Sequence, residues 1–321
     1  MNKLPVVLLS LILTFFLLNN SFAQNDNANY IIVIHGGAGF MNEMMPESEK
    51  AVYYTALEEA LNIGKTILEN NGSSLDAVEK VVRFLEDHPG FNAGKGAVYT
   101  SEGKHELDAS IMFGKDLSCG AVAGVTIIKN PISLARLVME KTPHVLFAGT
   151  GADELGKKFG VELVENSYFD TEKAYQEYLR SKENVKGTVG CVALDKFGNI
   201  SAATSTGGRT NKMPGRVGDS PLVNAGTYAN NNTCGVSATG WGELFIRNTV
   251  AFNISALMEY KGYTLQQACD EMIRNRLPEG TGGVIAVDKN GNYYFSFNTK
   301  SMLRGVATSS GIFETKIWHD R

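Results

Sequence analysis

The sequence predicts a mixed α+β fold in which the sheets of two chain halves lie together between outer layers of helices. The first observation is the order of elements, because strand and helix patterns precede a charged, polar stretch at 165–186 and recur after it. The second is composition: the 321-residue chain is 43% hydrophobic and 20% charged, which is ordinary for a globular protein with one large core or two small ones. No internal repeat or low-complexity tract interrupts this pattern.

Residues 1–23 are predicted to be a signal peptide. Lys3 precedes an apolar run at 4–18, and Ser21-Phe22-Ala23 supplies the small residues that signal peptidase requires. A membrane anchor is the alternative, but the run is shorter than the ~20 residues needed to span a bilayer. We therefore expect the mature chain to begin at Gln24 and to be exported, to the periplasm or the medium, with no membrane attachment.

The first half of the mature chain begins with the apolar run Tyr30 to Ile34, which predicts a buried strand closed by His35-Gly36-Gly37-Ala38-Gly39. Helical patterns then cover 47–70 and 74–87, and the second opens on an Asn-Gly-Ser-Ser turn and N-cap. The remaining predicted elements of this half are strands at 106–113 and 120–128, a helix at 132–141 and a strand at 145–148.

The charged stretch at 165–186 is predicted to be an exposed linker. Beyond it, strands are predicted at 188–194, 200–204, 283–287 and 293–297, and helices at 242–259 and 265–276. Asp-Lys-Phe-Gly-Asn at 195–199 and Asp-Lys-Asn-Gly-Asn at 288–292 are typical of hairpin turns.

Charge and cysteine content exclude several classes of function. The 34 acidic and 30 basic residues give a net charge of -4, and no stripe of lysine and arginine follows a nucleic-acid backbone, so we expect no nucleic-acid partner. An oxidising compartment would permit two disulfides among Cys119, Cys191, Cys234 and Cys269. Their irregular spacing, the absence of a CxxC pair and the apolar surroundings of Cys191 and Cys269 favour buried thiols instead.

The segment Lys186-Gly187-Thr188-Val189-Gly190 places a threonine where the predicted linker meets a strand. Alone, this pattern is typical of an ordinary β-branched strand residue. Three further segments, at 203–208, 215–221 and 238–243, likewise set hydroxyl or charged side chains among glycines. Glycine lets the backbone approach a ligand closely, so together these segments favour a site.

The motifs HGGAG, FNAGKGAV, HELDASIM, GTVG, ATSTGG, GRVGDSPL and ATGWGE occur in this order between Ile31 and about Phe297. In this respect the chain resembles the plant-type L-asparaginase and isoaspartyl aminopeptidase family. The related glycosylasparaginases share the GTVG, STGG-like and GRVGDSP segments, whereas HGGAG and FNAG are closer to the asparaginase branch. The resemblance implies a four-layered αββα sandwich of the N-terminal nucleophile hydrolase type. It also implies an α chain of residues 24–187 and a β chain of 188–321, forming one domain after self-cleavage and pairing as a homodimer of processed αβ units.

The resemblance implies cleavage of the Gly187–Thr188 bond by the Thr188 hydroxyl. Thr188 then becomes a nucleophile with its own base, because a free α-amine has a reference pKa of about 7.7 to 8.0. Thr206 would bond to the Thr188 hydroxyl and tune it. The hydroxyl of Thr239 and the backbone N–H of Gly240 would form the oxyanion hole and contact the substrate.

Substrate and ion binding follow from the same resemblance. Arg216 and Asp219 would hold the α-carboxylate and α-ammonium of the substrate, and Asn92 would order the site. A surface ion pair is the alternative for the two charged residues. No cofactor is required for the chemistry, but a structural sodium ion is expected on the backbone carbonyls of a loop, namely those of Leu85, Glu86, His88, Phe91, Ala93 and Lys95. Trp241 receives no role, although its bulk would narrow the pocket.

The sequence thus predicts a self-processing hydrolase of β-aspartyl dipeptides and L-asparagine, for which glutamine and glycosylated asparagine are poor substrates. Two alternatives stay open: a glycosylasparaginase, and an exported amino-acid-binding protein without turnover. A dinucleotide site is disfavoured because Met41 and Asn42 stand where GxGxxG needs its last glycine. The GxxxxGKK at 151–158 lacks the Ser or Thr of a P-loop, and no GxSxG elbow of a serine esterase occurs.

Overall fold

The computed structural model describes residues 29–39, 41–180 and 187–319, and shows two facing β-sheets between two layers of helices. This arrangement confirms the predicted αββα sandwich. The predicted signal peptide at 1–23 and the predicted start of the mature chain at Gln24 lie outside the described residues.

The larger sheet has eight strands and the smaller has four. The strands of the larger sheet are β1 (Ile31–Gly39), β2 (Leu107–Phe113), β3 (Cys119–Val125), β4 (Leu146–Ala148), β5 (Val189–Leu194), β6 (Ile200–Thr206), β11 (Ser301–Thr308) and β12 (Phe313–Trp318). The smaller sheet contains β7 (Thr227–Ala229), β8 (Cys234–Gly240), β9 (Gly282–Asp288) and β10 (Tyr293–Phe297). Their spatial orders are β12-β11-β1-β5-β6-β2-β3-β4 and β10-β9-β8-β7, and β3–β4 is a parallel pair.

The larger sheet combines strands from both sides of Thr188, so the prediction that each half contributes its own sheet is wrong. Strand β5 begins directly after Thr188 and is hydrogen-bonded between β1 and β6. Every residue of β5 is buried, as expected for an apolar strand in the middle of a sheet that is covered on both faces. The segments before and after Thr188 are therefore held together by backbone hydrogen bonds that do not depend on the Gly187–Thr188 bond.

Helices cover the outer face of each sheet. They are α1 (Glu47–Glu69), α2 (Ser74–Asp87), α3 (Pro131–Lys141), α4 (Gly149–Phe159), α5 (Glu172–Arg180), α6 (Gly242–Asn248), α7 (Val250–Lys261) and α8 (Leu265–Asp270). The apolar faces of α1 to α3 pack on the larger sheet, and those of α7 and α8 pack on the smaller one. The predicted cap of α2 is present, since the Ser73 hydroxyl accepts a hydrogen bond from the backbone N–H of Asp76.

Several predicted boundaries are corrected by the structure. Strand β1 does not end at Ile34, as predicted, but continues to Gly39 through a bulge between His35 and Gly37. The predicted exposed linker contains a 3₁₀ turn, Asn166–Phe169, and all of α5, and the side chain of Phe169 is fully buried.

Two predicted helices are interrupted, and six helices or strands are missing from the prediction. The helix predicted at 242–259 is broken at Thr249, whose φ is 46°. The helix predicted at 265–276 becomes a π-helical turn after Asp270. The missing elements are α4, α5, β7, β8, β11 and β12.

Among the described residues, no helix combines the length and the apolar character needed to cross a bilayer. All four cysteines lie in this part of the chain and are unbridged. Cys191, Cys234 and Cys269 are buried, and burial raises the pKa of each thiol. The prediction of buried thiols at Cys191 and Cys269 is confirmed.

Candidate active site

Thr188 lies at the start of β5, beneath the bulge of β1, and only 5% of its surface is exposed. The bulge brings the backbone close to it. A Cβ atom on Gly37 would lie 3.3 Å from Gly187 Cα and 3.5 Å from the Thr188 nitrogen. Gly37 has a φ of 117°, which glycine adopts far more readily than other residues. The HGGAG stretch is therefore part of strand β1 and lines the site beside Gly187 and Thr188, rather than forming a turn after the strand.

The carbonyl oxygen of Gly187 accepts hydrogen bonds from three side chains. The Asn92 amide donates at 2.8 Å, the Thr206 hydroxyl at 3.0 Å and the Thr188 hydroxyl at 2.8 Å. The Thr206 oxygen in turn accepts from the backbone N–H of Gly208 at 2.9 Å, which orients its own proton toward Gly187. Such donors withdraw electron density from the carbonyl carbon and stabilise negative charge on its oxygen.

The Thr188 hydroxyl lies close to both groups that the resemblance assigns to it, the Thr206 hydroxyl and the Gly187 carbonyl. Its oxygen is 3.3 Å from the Thr206 hydroxyl and 2.8 Å from the Gly187 carbonyl oxygen. In the continuous chain the Thr188 nitrogen belongs to a peptide bond and cannot act as a base. The arrangement can therefore support attack on the Gly187 carbonyl, but not yet the amine-assisted chemistry of a free N-terminus.

The side chain of Asn92 is fully engaged in building this site. Its amide group donates to the Gly187 carbonyl at 2.8 Å and to the Gly208 carbonyl at 2.7 Å. Its own oxygen accepts from the backbone N–H of Val98 at 3.0 Å, so the amide can have only one orientation. Asn92 thus links Gly208, at the end of the ATSTGG segment, to Gly187, the residue before Thr188.

Thr239 and Gly240, at the end of β8, face the same bulge from the smaller sheet. The Thr239 oxygen accepts a hydrogen bond from the backbone N–H of Ala38 at 3.3 Å, so its own proton is left to donate. Gly240 has a φ of 149°, and a Cβ atom there would lie 2.3 Å from the Thr281 carbonyl oxygen. Only glycine fits this position.

Arg216 is paired with Glu243 and not with Asp219. Its Nε and Nη2 atoms donate to the two carboxylate oxygens of Glu243 at 3.0 and 3.1 Å. Only 16% of the Arg216 side chain is exposed, so an isolated surface ion pair is the wrong description. A Cβ atom on Gly242 would lie 2.9 Å from Arg216 Nη2 and 2.8 Å from Asp219 Oδ1, so both charged groups border this glycine.

The carboxylate of Asp219 is fully buried, and this burial raises its pKa to about 7. Its Oδ2 atom has no hydrogen-bond partner among residues 29–39, 41–180 and 187–319. A buried acceptor without a donor costs free energy, and a ligand ammonium would remove that cost. A buried carboxylate with an open acceptor position can bind a cationic group.

Sequence reasoning missed three buried charged or titratable groups near these residues. Asp108 is fully buried opposite Thr206 in the β2–β6 pair, and burial raises its pKa. The Lys212 ammonium donates to the Glu106 carbonyl at 2.8 Å, and burial lowers its pKa. His35 contacts the Thr188 carbonyl at 3.1 Å. Two of the three occur within the HELDASIM and HGGAG motifs, where a polar residue in an apolar strand was the available signal.

The predicted sodium-binding segment begins in the last turn of α2 and continues into the loop after it, and some of its carbonyls lack their usual helical partners. The donor that would bond to Leu85 is Pro89, which has no N–H. A Cβ atom on Gly94 would lie 2.2 Å from the Glu86 carbonyl oxygen, so this carbonyl points into the loop. No group of three or more His, Cys, Asp or Glu side chains in the described residues could hold a metal ion. Backbone oxygen ligands are nevertheless compatible with a hard cation.

Two further features border the site. Trp241 is 41% exposed, and the guanidinium of Arg209 lies over its ring at 5.4 Å. A cavity of about 810 Å³ opens beside Gly187 and Asn92, and its lining includes Tyr53 and Phe91 but neither Arg216 nor Asp219. The cavity therefore adjoins the Gly187 side of Thr188.

The chain is similar to known proteins over most of its length. A sequence model of the family described as Asparaginase matches residues 28–317. The chain is 47% identical over 307 residues to an isoaspartyl peptidase of Salmonella typhimurium, covering 88% of this chain and 98% of that protein. It is 44% identical to a probable isoaspartyl peptidase/L-asparaginase of Arabidopsis thaliana, covering 90% of this chain and 99% of that protein. Identity to the human isoaspartyl peptidase/L-asparaginase is 41%, covering 85% and 92%.

Proposed function

The chain belongs to the Asparaginase family and is an amidohydrolase, and on this premise we propose that it cleaves its own Gly187–Thr188 bond and then uses Thr188 to hydrolyse β-aspartyl dipeptides and L-asparagine. The observation that carries the proposal is the Gly187 carbonyl, whose oxygen accepts from Asn92, Thr206 and Thr188 within 3.0 Å.

Self-cleavage would begin with attack of the Thr188 oxygen on the Gly187 carbonyl carbon. Asn92 and Thr206 would stabilise the negative charge that forms on the carbonyl oxygen. The C–N bond then breaks, the hydroxyl proton passes to the nitrogen, and an ester joins Gly187 to the Thr188 side chain. Water opens the ester and leaves a Gly187 carboxylate and a free Thr188 amine.

Substrate hydrolysis would reuse the same oxygen atom. The free amine of Thr188 accepts the hydroxyl proton, and the oxygen attacks the side-chain carbonyl of the substrate. The Thr239 hydroxyl and the Gly240 N–H would stabilise the oxyanion, which is consistent with the unused proton of Thr239. The leaving amine takes the proton, and water releases L-aspartate from the ester.

Arg216 and Asp219 are proposed to fix the α-carboxylate and α-ammonium of the substrate. The unpartnered Asp219 Oδ2 supports the ammonium site. Arg216 would share its guanidinium between Glu243 and the substrate carboxylate. The distance from this anchor to Thr188 selects the carbonyl that is attacked, so the additional methylene of glutamine would misplace its amide by about 1 Å, which can cost ~10²-fold. The cavity beside Gly187 offers room for a peptide leaving group.

A sodium ion on the carbonyls of Leu85, Glu86 and neighbouring residues is proposed as a structural element. When bound, it would supply a positive charge that holds these carbonyls in place. The inward Glu86 carbonyl and the missing donor at Pro89 support it. No chemical step depends on it.

Assembly as a homodimer and export are further parts of the proposal. At the open edge of the larger sheet, Leu146 of β4 is 43% exposed and Val145, which precedes it, is 49% exposed. Leu163 is also exposed, at 41%. Exposed apolar side chains on an edge strand commonly mark an interface. Light scattering on the purified protein would give the mass of one or two processed units.

The test is to compare kcat/KM for β-Asp-Leu, asparagine, glutamine and N-acetylglucosaminyl-asparagine. We expect the first two to be good substrates and the last two to be poorer by about two orders of magnitude. Thr188→Ala should be inactive on all four. A preference for the sugar-linked amide would instead support a glycosylasparaginase, and binding of L-aspartate without turnover would support an amino-acid-binding protein.

A further inference from the structure

We propose that His35 is a positioning residue for Thr188, that it acts as a single neutral tautomer, and that a chain of buried hydroxyls is ordered by this tautomer. The inference rests on the proposed role of Thr188 as nucleophile. It concerns a residue that touches neither the Gly187 carbonyl oxygen nor the charged anchor.

Both ring nitrogens of His35 are engaged in a site without solvent. Nδ1 is 3.1 Å from the Thr188 carbonyl oxygen, and Nε2 is 3.0 Å from the Ser237 hydroxyl oxygen. The His35 side chain is fully buried, and burial lowers its pKa to about 3. The ring is therefore neutral at any pH at which the enzyme would work, and it carries one proton on one of the two nitrogens.

The Thr188 carbonyl decides which nitrogen carries that proton. A carbonyl oxygen only accepts hydrogen bonds, so Nδ1 must be the protonated nitrogen if the 3.1 Å contact is attractive. Nε2 then presents a lone pair, and the Ser237 hydroxyl must donate to it. The contacts with the Thr188 carbonyl and the Ser237 hydroxyl together assign the tautomer with the proton on Nδ1.

Four hydroxyl groups continue this hydrogen-bond pattern between the two sheets, and we name them the hydroxyl chain: Ser237, Thr204, Thr227 and Ser110. All four are fully buried. Successive oxygens are 2.7, 2.6 and 2.8 Å apart.

Each hydroxyl has one proton, which fixes the direction of the hydroxyl chain. Because the Ser237 hydroxyl donates its proton to Nε2 of His35, the contact between Thr204 and Ser237 requires Thr204 to be the donor. Thr227 must then donate to Thr204, as the 2.6 Å contact permits. The Ser110 proton has two acceptors within reach, the Thr227 hydroxyl at 2.8 Å and the Ser220 carbonyl at 2.6 Å, so the direction is fixed from His35 as far as Thr227. In the reverse direction, Ser110 would donate to the Ser220 carbonyl at 2.6 Å. Nε2 would then carry the proton, and the Nδ1 lone pair would face the Thr188 carbonyl.

The GTVG segment leaves room for this arrangement. Gly190 is paired with His35 across β5 and β1. A Cβ atom on Gly190 would lie 2.4 Å from His35 Nε2 and 2.0 Å from the Ser237 oxygen, which is closer than atoms can approach. The absence of a side chain at Gly190 therefore allows His35 and Ser237 to meet.

His35 constrains a side of Thr188 that the predicted site residues Asn92 and Thr206 do not reach. Asn92 and Thr206 hold the carbonyl before Thr188, whereas His35 holds the carbonyl of Thr188 itself. Together these contacts fix both peptide groups that flank the nucleophile. Because displacement of a reacting atom by about 1 Å can cost ~10²-fold, loss of the His35 contact should slow both self-cleavage and turnover.

Two amide substitutions test this role because each keeps one of the two nitrogens. His35→Asn places an amide nitrogen near the position of Nδ1 and can still donate to the Thr188 carbonyl. His35→Gln places its amide near Nε2 and loses that donor. We expect self-cleavage of His35→Asn within about fivefold of wild type and a ~10²-fold slower reaction for His35→Gln. In cleaved protein, kcat should fall while KM changes little, because His35 does not contact the substrate.

Deleting single hydroxyls tests the hydroxyl chain. Ser237→Ala removes the group that donates to Nε2, and we expect a loss of about tenfold in the rate of self-cleavage. Ser110→Ala is the matched control at the far end, and it should remain within about threefold of wild type. Thermal melting of each variant separates this effect from loss of folding.

The outcomes of the His35 inference and of the proposed function are distinguishable. If wild-type protein stays uncleaved, the proposed function fails whatever the variants do. If wild type is cleaved and His35→Gln matches it while folded, the inference is overturned. Should His35→Gln not fold, ¹⁵N NMR of histidine-labelled wild type decides instead. The inference requires a protonated Nδ1 and an unprotonated Nε2 at His35, and the opposite pattern would overturn it.

Discussion

The two faces of strand β1 contribute to interiors of different character. On one face, Ile32 and Ile34 belong to an apolar core between the larger sheet and its helices. On the other face, Ile31 and Val33 belong to a second apolar core between the two sheets, but at the end of that face His35 meets the hydroxyl chain. Strand β6 shows the same division, because Ala203 belongs to the apolar core while its neighbour Thr204 belongs to the hydroxyl chain.

This difference shows that the sheet separates stability from chemistry. Apolar burial on the helix side stabilises the fold without any requirement for orientation. Buried hydroxyls contribute little net stability, and each needs a correctly placed partner. They are tolerated at the end of the inter-sheet space where Thr188, Thr206 and Thr239 lie. Changes in the apolar core on the helix side should therefore affect stability alone, and changes close to Thr188 at this end of the inter-sheet space should affect the reaction.

The largest effect is expected at the charged anchor. Arg216→Ala should lower kcat/KM by two to three orders of magnitude or more, because losing a buried charged contact typically costs ~2 to 5 kcal/mol. Self-cleavage should proceed, since Arg216 does not contact Gly187. Arg274→Ala, at an exposed arginine paired with Asp270, is the control and should behave as wild type. Near-normal kinetics for Arg216→Ala would assign it to a structural pair with Glu243.

Removing one donor from the Gly187 carbonyl should have the next largest effect. Thr206→Val keeps the shape of the side chain but loses the hydroxyl, and we expect self-cleavage to slow by ~10²-fold, as for one oxyanion donor. Thr206→Ser restores the hydroxyl and should recover most of the rate. A time course on a denaturing gel measures both. Equal rates for the valine and serine variants would exclude a role for this hydroxyl.

The pH dependence of ligand binding should change more gradually. Burial raises the pKa of Asp219 to about 7, so the carboxylate is increasingly protonated below that pH. A neutral acid cannot pair with an ammonium, so binding of L-aspartate should weaken up to tenfold per pH unit below 7 and level off above it. The inhibition constant measured between about pH 5.5 and 8.5 tests this. A flat profile would mean that Asp219 does not bind the ammonium.

The smallest effect on chemistry is expected on the helix side of the larger sheet. Leu61→Ala should lower the free energy of unfolding by ~2 to 5 kcal/mol, as expected for a cavity at a fully buried leucine. The kcat/KM of the folded fraction should be unchanged. Denaturant titration and kinetics on the same sample provide the comparison. A large loss of kcat/KM in folded protein would break the proposed separation between the two faces.

The parts of the fold that sequence predicted best are those with strong local patterns. Helices α1 to α3 and strands β5 and β10 were located within one or two residues, because apolar periodicity and turns define them. Strand β8, which carries Thr239, was missed because its residues are small and give no apolar run. The bulge in β1 was likewise read as the end of a strand, since glycines normally interrupt one.

The candidate site shows a similar limit. The resemblance supplied Thr188, Thr206 and Asn92, and the structure places them around one carbonyl group. His35 could not be found from local pattern, because its partners Thr188 and Ser237 are 153 and 202 residues away in the chain. The pairing of Arg216 with Glu243 also depends on tertiary structure. Only the fold brings these groups together.

The central claim is that Thr188 becomes the N-terminal residue of an active fragment, and intact-mass measurement of purified protein tests it most directly. Wild type should yield two fragments, one ending at Gly187 and one beginning at Thr188, and both should remain associated under native conditions. Thr188→Ala should give one uncleaved chain without activity. An active wild-type protein that remains a single chain across the Gly187–Thr188 bond would contradict the account.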